Sequence, residues 1–105
     1  MVTAFDVCAL SDLVDGDKRL VHAGGEDILL CRTGVDIRAV RNMCTHAASG
    51  LEEGRLRGGV LVCPLHGARF DLNEGGRCLG GAGYRPLMMF ETKVEGGRVW
   101  VVVEV

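Results

Sequence analysis

Cys44-Thr45-His46 and Cys63-Pro64-Leu65-His66, with sixteen residues between His46 and Cys63, decide how this chain is read. Each pair supplies one thiol and one imidazole from a short stretch, so the two together offer two thiolates and two imidazoles to one metal centre. The spacings are Cys-X-His and Cys-X-X-His, which lets both thiolates face one iron while both imidazoles face a second. A [2Fe–2S] cluster of mixed ligation requires that division. Tetrahedral zinc also accepts Cys and His at such offsets. Zinc sites, however, more often pair like with like, as in C-x-x-C with H-x-x-x-H. A third reading buries the four residues without metal, which would put two histidines beside a proline and several glycines in a core.

Composition narrows the frame around this motif. The chain has 105 residues, enough for one domain with a modest core that a bound metal centre would help to stabilise. Aromatic residues make up only 5%, so Val, Leu and Ile must form most of the interior. Glycine is in excess, at 16 residues, and recurs as Gly24-Gly25, Gly58-Gly59, Gly75-Gly76, Gly80-Gly81 and Gly96-Gly97. Glycine pairs punctuating short β-rich runs predict a small all-β domain. A formal net charge of −2 argues against nucleic acid as a partner. No basic start with an apolar run precedes the first strand and no apolar run could span a bilayer, so neither a secretory signal nor a membrane anchor is expected. Five cysteines, an odd number, suit a reducing cytoplasm better than a disulfide framework.

Along the chain, Val2 to Cys8 is predicted as an edge strand. A helical turn is expected at Ser11-Asp12-Leu13 and a tight turn at Asp15-Gly16-Asp17. Strands follow at Arg19 to His22, Asp27 to Cys31 and Asp36 to Val40, with turns at Gly24-Gly25 and Thr33-Gly34. The metal-binding segment is placed at about 42–71, with Gly59 to Cys63 as its central strand. A glycine-rich loop is expected beyond Gly76, reaching Arg85-Pro86. The chain closes with a hairpin, Leu87 to Val94 and Arg98 to Val105, turning at Glu95-Gly96-Gly97. Cys8, Cys31 and Cys78 read as small buried hydrophobes, His22 as a surface residue and Trp100 as packing. Glu52, Glu53, Arg55 and Arg57 read as a solvated charged stretch.

The second pair continues as His66-Gly67-Ala68-Arg69-Phe70-Asp71, and with C-X-H, this spacer and C-X-X-H-G the chain resembles the Rieske ferredoxins from its first strand to its last. The resemblance implies an antiparallel β-sandwich with a small cluster-binding subdomain inserted between strands. It implies one [2Fe–2S] cluster on Cys44, His46, Cys63 and His66, and a loop at about 80–86 that covers it. Gly81 stands where that loop usually has proline. High-potential relatives carry a disulfide between the ligand loops; here its positions hold Ser49 and Leu65. They also carry Ser and Tyr hydroxyls that donate to the cluster, at positions held here by Ala68 and Phe70. Without those donors the centre is expected near the low end of the Rieske range, roughly −150 mV.

By the same resemblance, the chain is a low-potential carrier and not itself an enzyme. It is expected to pass single electrons from a flavin-dependent NADH ferredoxin reductase to the terminal Rieske oxygenase of an aromatic-ring-hydroxylating dioxygenase system. It is expected to work as a cytoplasmic monomer. The His46/His66 tip, ringed by Ala47, Ala48, Leu65, Gly67, Gly80, Gly81 and Ala82, is the expected docking face for transient partners. With three histidines, two of them on the cluster, it cannot also build a two-histidine, one-carboxylate iron site. The competing readings are a small subunit of an NADH-dependent nitrite reductase and an iron–sulfur sensing module.

Overall fold

The computed structural model describes residues 1–45, 49–65, 67–80 and 84–105. Its strands are β1 (Val2–Ala9), β2 (Lys18–Ala23), β3 (Glu26–Thr33), β4 (Asp36–Arg41), β5 (Arg55–Arg57), β6 (Val60–Val62), β7 (Arg69–Asp71), β8 (Arg77–Leu79), β9 (Met89–Glu95) and β10 (Arg98–Glu104). Six of them form one antiparallel sheet in the order β1-β10-β9-β4-β3-β2, and β5-β6-β7-β8 form a second. Two-residue glycine turns close the β2–β3 and β9–β10 hairpins. Gly24-Gly25 and Gly96-Gly97 hold positive φ at both positions, the condition for the tight turn that matches strand twist.

The six-stranded sheet curls until its two halves share a core. Val21, Ala23, Ile28, Leu30, Ile37 and Ala39 of β2–β4 meet Cys8, Val99, Val101 and Val103 of β1 and β10 there. Alternation along β10 puts Val99, Val101 and Val103 inward.

Strand β3 breaks that alternation, because Ile28, Leu29, Leu30 and Cys31 are all buried. Ile28 and Leu30 face the first core. Leu29 and Cys31 face a second, joined by Val40 of β4 and by Leu51, Leu61, Phe70, Leu72 and Leu87. The four-stranded sheet thus packs against the back of β3 and β4. Its inner row, Leu56, Leu61, Phe70 and Cys78, lies in register across β5–β8 and meets this second core.

The expected all-β architecture is what forms, with the sandwich realised as one curled sheet plus a second lobe. Glu52, Glu53, Arg55 and Arg57 are exposed, as the reading of a solvated charged stretch expects, but Arg55 and Arg57 also lie on a strand, β5, that the sequence reading did not place. The expected glycine-rich loop beyond Gly76 is corrected: it begins with β8, so the second sheet runs to Leu79. Both strands have only three residues, too few for a period of two to be seen. The ladder with β6 and β7 makes them strands. The single helical turn also starts one residue earlier, at Leu10.

Replacing Leu29 or Leu30 with alanine should cost about 2–5 kcal/mol each, since both are fully buried. Only Leu29→Ala should also speed proteolysis within residues 49–56, by freeing the second lobe from its floor. Equal cleavage of the two variants would show that the lobes are not coupled through β3.

Candidate metal centre

Strand β4 delivers the first cysteine. Its end is fixed to the start of β3 by Arg41, which donates to Glu26 from Nε at 3.0 Å and from Nη2 at 2.9 Å. The Asn42 amide donates to Asp27 O at 2.9 Å. Asn42 then organises the following loop, since its Oδ1 accepts from the Leu51 amide at 2.6 Å and its Nδ2 donates to Glu52. The Cys44 amide donates to Ser49 O at 2.8 Å, closing the loop within which His46 falls.

Lys18, on β2, holds the far side of this loop. Its ammonium donates to Glu52 O at 2.6 Å and to Gly54 O. Hydrogen bonds from an ionised donor are the stronger kind, and here they tie the second lobe to the first sheet. Gly54 permits the approach: a Cβ there would stand 2.0 Å from Val62 O. No side chain can occupy that space without separating the loop from β6.

The second cysteine follows directly on β6. The Cys63 amide donates to Ala68 O at 2.7 Å and the Gly67 amide to Cys63 O at 3.1 Å. These bonds draw the β6–β7 connection into a compact loop whose turn needs Gly67 at φ +69°. A third segment crosses nearby, where Thr45 Oγ1 donates to Arg85 O at 2.7 Å. Beyond it the Leu87 amide donates to Gly76 O, and Leu87 is buried in the second core.

Cys44 and Cys63 are thus brought into one apolar core. They are 2% and 1% exposed and neither is in a disulfide. Their chain neighbours Thr45, Pro64 and Leu65 are exposed. Two unbridged thiols turned inward from adjoining loops suit iron–sulfur ligation. His46 and His66 lie outside the described residues, as do Ala47, Ala48, Gly81 and Ala82 of the expected tip. Among the described residues no group of three metal-ligating side chains forms. Of the tip, Leu65, Gly67 and Gly80 are exposed, Leu65 by 59%.

The other cysteines behave as apolar residues. Burial pushes the Cys31 thiol up to about 12, and burial likewise raises Cys8, so neither offers a reactive thiolate near neutrality. Cys78 is half-buried against the second core. His22 is exposed and its Nδ1 lies 2.6 Å from Asp27 Oδ1, a surface pair. Trp100 is half-buried on β10, and its indole nitrogen is enclosed with no hydrogen-bond partner among the described residues. The residues the motif did not reveal are Lys18 and Thr45, whose partners lie 34 to 40 positions away. Only Asn42 had a local signal, as a loop-forming residue two places before Cys44.

This arrangement agrees with what similar proteins are. Residues 3–91 match the family of the Rieske [2Fe-2S] domain, and the chain belongs to that family and carries a single [2Fe–2S] cluster. A ferredoxin component of naphthalene 1,2-dioxygenase/salicylate 5-hydroxylase systems from a Ralstonia species is 35% identical, with 94% of each chain covered. The ferredoxin component of an alkene monooxygenase system from Xanthobacter autotrophicus is 38% identical, covering 94% of this chain and 80% of that one. Among solved structures, a chain in the complex of reduced oxygenase and oxidized ferredoxin of carbazole 1,9a-dioxygenase superposes with a TM-score of 0.85. It is 35% identical, with 93% of this chain and 91% of that one covered.

Lys18→Met should remove both donors to the loop while keeping the stem. The expected result is a loss of about 1–3 kcal/mol and faster bleaching of the visible absorbance in the presence of an iron chelator. An unchanged bleaching rate would mean that the Cys44 loop is held without Lys18.

Proposed function

We propose that this chain is a one-electron carrier, receiving electrons from a flavin-dependent NADH reductase and delivering them to the terminal oxygenase of an aromatic-ring-hydroxylating system. The observation that carries the reading is the pair of inward, unbridged thiols, Cys44 and Cys63, in one apolar core. It is supported by near full-length similarity to proteins named as ferredoxin components. We assign the four ligands as Cys44, His46, Cys63 and His66, within a single domain that includes a cluster-binding segment at 42–71 and a covering loop at 80–86. When bound, the cluster supplies a site that gains and loses one electron.

The residues around that site have separable tasks. Cys44 and Cys63 hold the group from the buried side, so the histidines that follow them in each motif are left for the outer side. Asn42, Lys18 and Thr45 set the loops relative to one another. Leu51, Leu61, Phe70 and Leu72 exclude water from the thiol side. No polar or charged residue is buried among the described residues, so apart from the thiols of Cys31 and Cys78 the second core brings no other side-chain donor of this kind beside Cys44 and Cys63. Leu65, exposed beside His66 in sequence, gives the tip an apolar contact for short-lived partners.

We read the protein as a soluble cytoplasmic monomer. Among the described residues no helix is long and apolar enough to cross a membrane. The oxygenase, and not this chain, selects the compound that is oxidised. The similar proteins serve systems named for naphthalene and for alkenes alike.

Iron and sulfide analysis should find two of each per chain, and Cys44→Ser or Cys63→Ser should abolish both. Stoichiometric zinc without sulfide would end this reading. The potential gives a second test. Ala68 is half-buried and its carbonyl is already engaged by Cys63, so Ala68→Ser adds a hydroxyl at little steric cost. A hydrogen bond to a charged acceptor contributes roughly 1.5–3 kcal/mol, of which only the part differing between redox states moves the potential. The midpoint should rise by tens of millivolts, at roughly 40 mV per kcal/mol for one electron. Phe70→Tyr should act in the same direction but cost about 1–3 kcal/mol in stability, because Phe70 is fully enclosed. Voltammetry showing an unshifted midpoint in a folded double variant would place control of the potential elsewhere.

A further inference from the structure

The second sheet has an outer face that the electron-carrier reading leaves unused. Register places Arg55, Val62, Arg69 and Leu79 in one cross-strand row, and Arg57, Val60, Asp71 and Arg77 in the next. The inner rows are spent on the second core, so these side chains point outward, and all four arginines are exposed. Among the described residues none of the four side chains forms an ion pair or hydrogen bond. Asp71, the one carboxylate in these rows, accepts from the Asn73 amide at 3.0 Å.

Most arginines of the first sheet are engaged. Arg41 is paired with Glu26, Arg98 with Asp6 and Arg38 with Asp36, while Arg32 donates to Leu13 O and Gly34 O. Arg19 on β2 is exposed without such a partner among the described residues. Four guanidinium groups with no partner among the described residues stand on one face of the sheet, in a chain of formal net charge −2, and form a local field opposite in sign to the whole. The face also adjoins the metal centre. The row of Arg55 and Arg69 is the one from which the chain runs into Cys63, out of Ala68 and into Gly80. A Cβ on Gly80 would lie 3.4 Å from Arg69 Nη2. A groove of about 390 Å³ leads from Arg55 and Arg57 past Glu53 and Val62 to Cys63 and Pro64.

We propose that this arginine face docks a carboxylate-bearing surface of the oxygenase that accepts the electron. The apolar tip makes the close contact and the arginines steer and orient the encounter. The inference rests on the electron-carrier reading. Guanidinium forks bind carboxylates in two-point geometry, and opposed charges beside a small apolar contact raise association rates without slowing release greatly. That suits a carrier that must leave after each electron.

The test is stopped-flow electron transfer from the dithionite-reduced holoprotein to a terminal oxygenase that accepts electrons from it, chosen by screening oxygenases of aromatic-ring-hydroxylating systems, over a range of ionic strength. Wild-type rates should fall as salt rises. Arg55→Glu/Arg69→Glu should be slower by about tenfold at low salt and converge with wild type at high salt. Arg55→Lys/Arg69→Lys should keep most of the rate. Arg19→Glu/Lys93→Glu, which makes the same change in net charge on the first sheet, should leave it unaltered. Oxidation by hexacyanoferrate(III) should be slowed by the arginine reversals, and oxidation by tris(phenanthroline)cobalt(III) accelerated, which maps the local field without any partner. Equal rates and salt slopes for wild type and Arg55→Glu/Arg69→Glu would overturn the proposal. So would slowing confined to reduction by the reductase. Absence of transfer from wild type to every oxygenase screened, at any salt, would instead sink the electron-carrier reading.

Discussion

Everything in the second lobe depends on burying Cys44 and Cys63 in one apolar core whose floor is the back of β3 and β4. A thiol at the end of a strand could as easily face solvent. Here Leu29, Cys31 and Val40 offer an apolar surface on the reverse of the first sheet, and Leu51, Leu61, Phe70 and Leu87 close over it. The thiols turn inward because that is where the lobe has its interior. A strand buried on both faces is the device that makes this possible, and Ile28 to Cys31 is that strand.

Polar contacts then fix what the apolar core only permits. Lys18 and Asn42 bind loop carbonyls and amides that no regular ladder reaches, satisfying backbone groups that would be costly to leave unpaired. Thr45 ties the first ligand loop to the segment before Leu87. Charge is divided by lobe as well. Most arginines of the first sheet are used for internal pairs, whereas those of the second sheet face outward without a partner among the described residues. The same residue type closes the scaffold in one place and stays available for recognition in another.

Much of this was legible in the sequence, for identifiable reasons. The glycine pairs gave the hairpins because positive φ at two successive positions is nearly a glycine property. The Cys-X-His and Cys-X-X-His spacings gave the family because two mixed pairs suit few other centres. Strands β5 and β8 were not legible, since three residues such as Arg55-Leu56-Arg57 or Arg77-Cys78-Leu79 carry no periodic signal and exist only through their neighbours. Nor was the clamp from Lys18, because nothing local marks a lysine whose partners lie 34 and 36 residues away. The arginine face was hidden for the same reason, as Arg69 and Arg77 join Arg55 and Arg57 only through strand register.

The central claim is that the two thiols hold the cluster from inside while two imidazoles hold it from outside. Nitrogen hyperfine spectroscopy of the reduced protein tests it most directly. The account predicts a rhombic signal with couplings from two imidazole nitrogens, one lost in His46→Cys and the other in His66→Cys. A signal without directly bound nitrogen, or one unchanged in both variants, would contradict it.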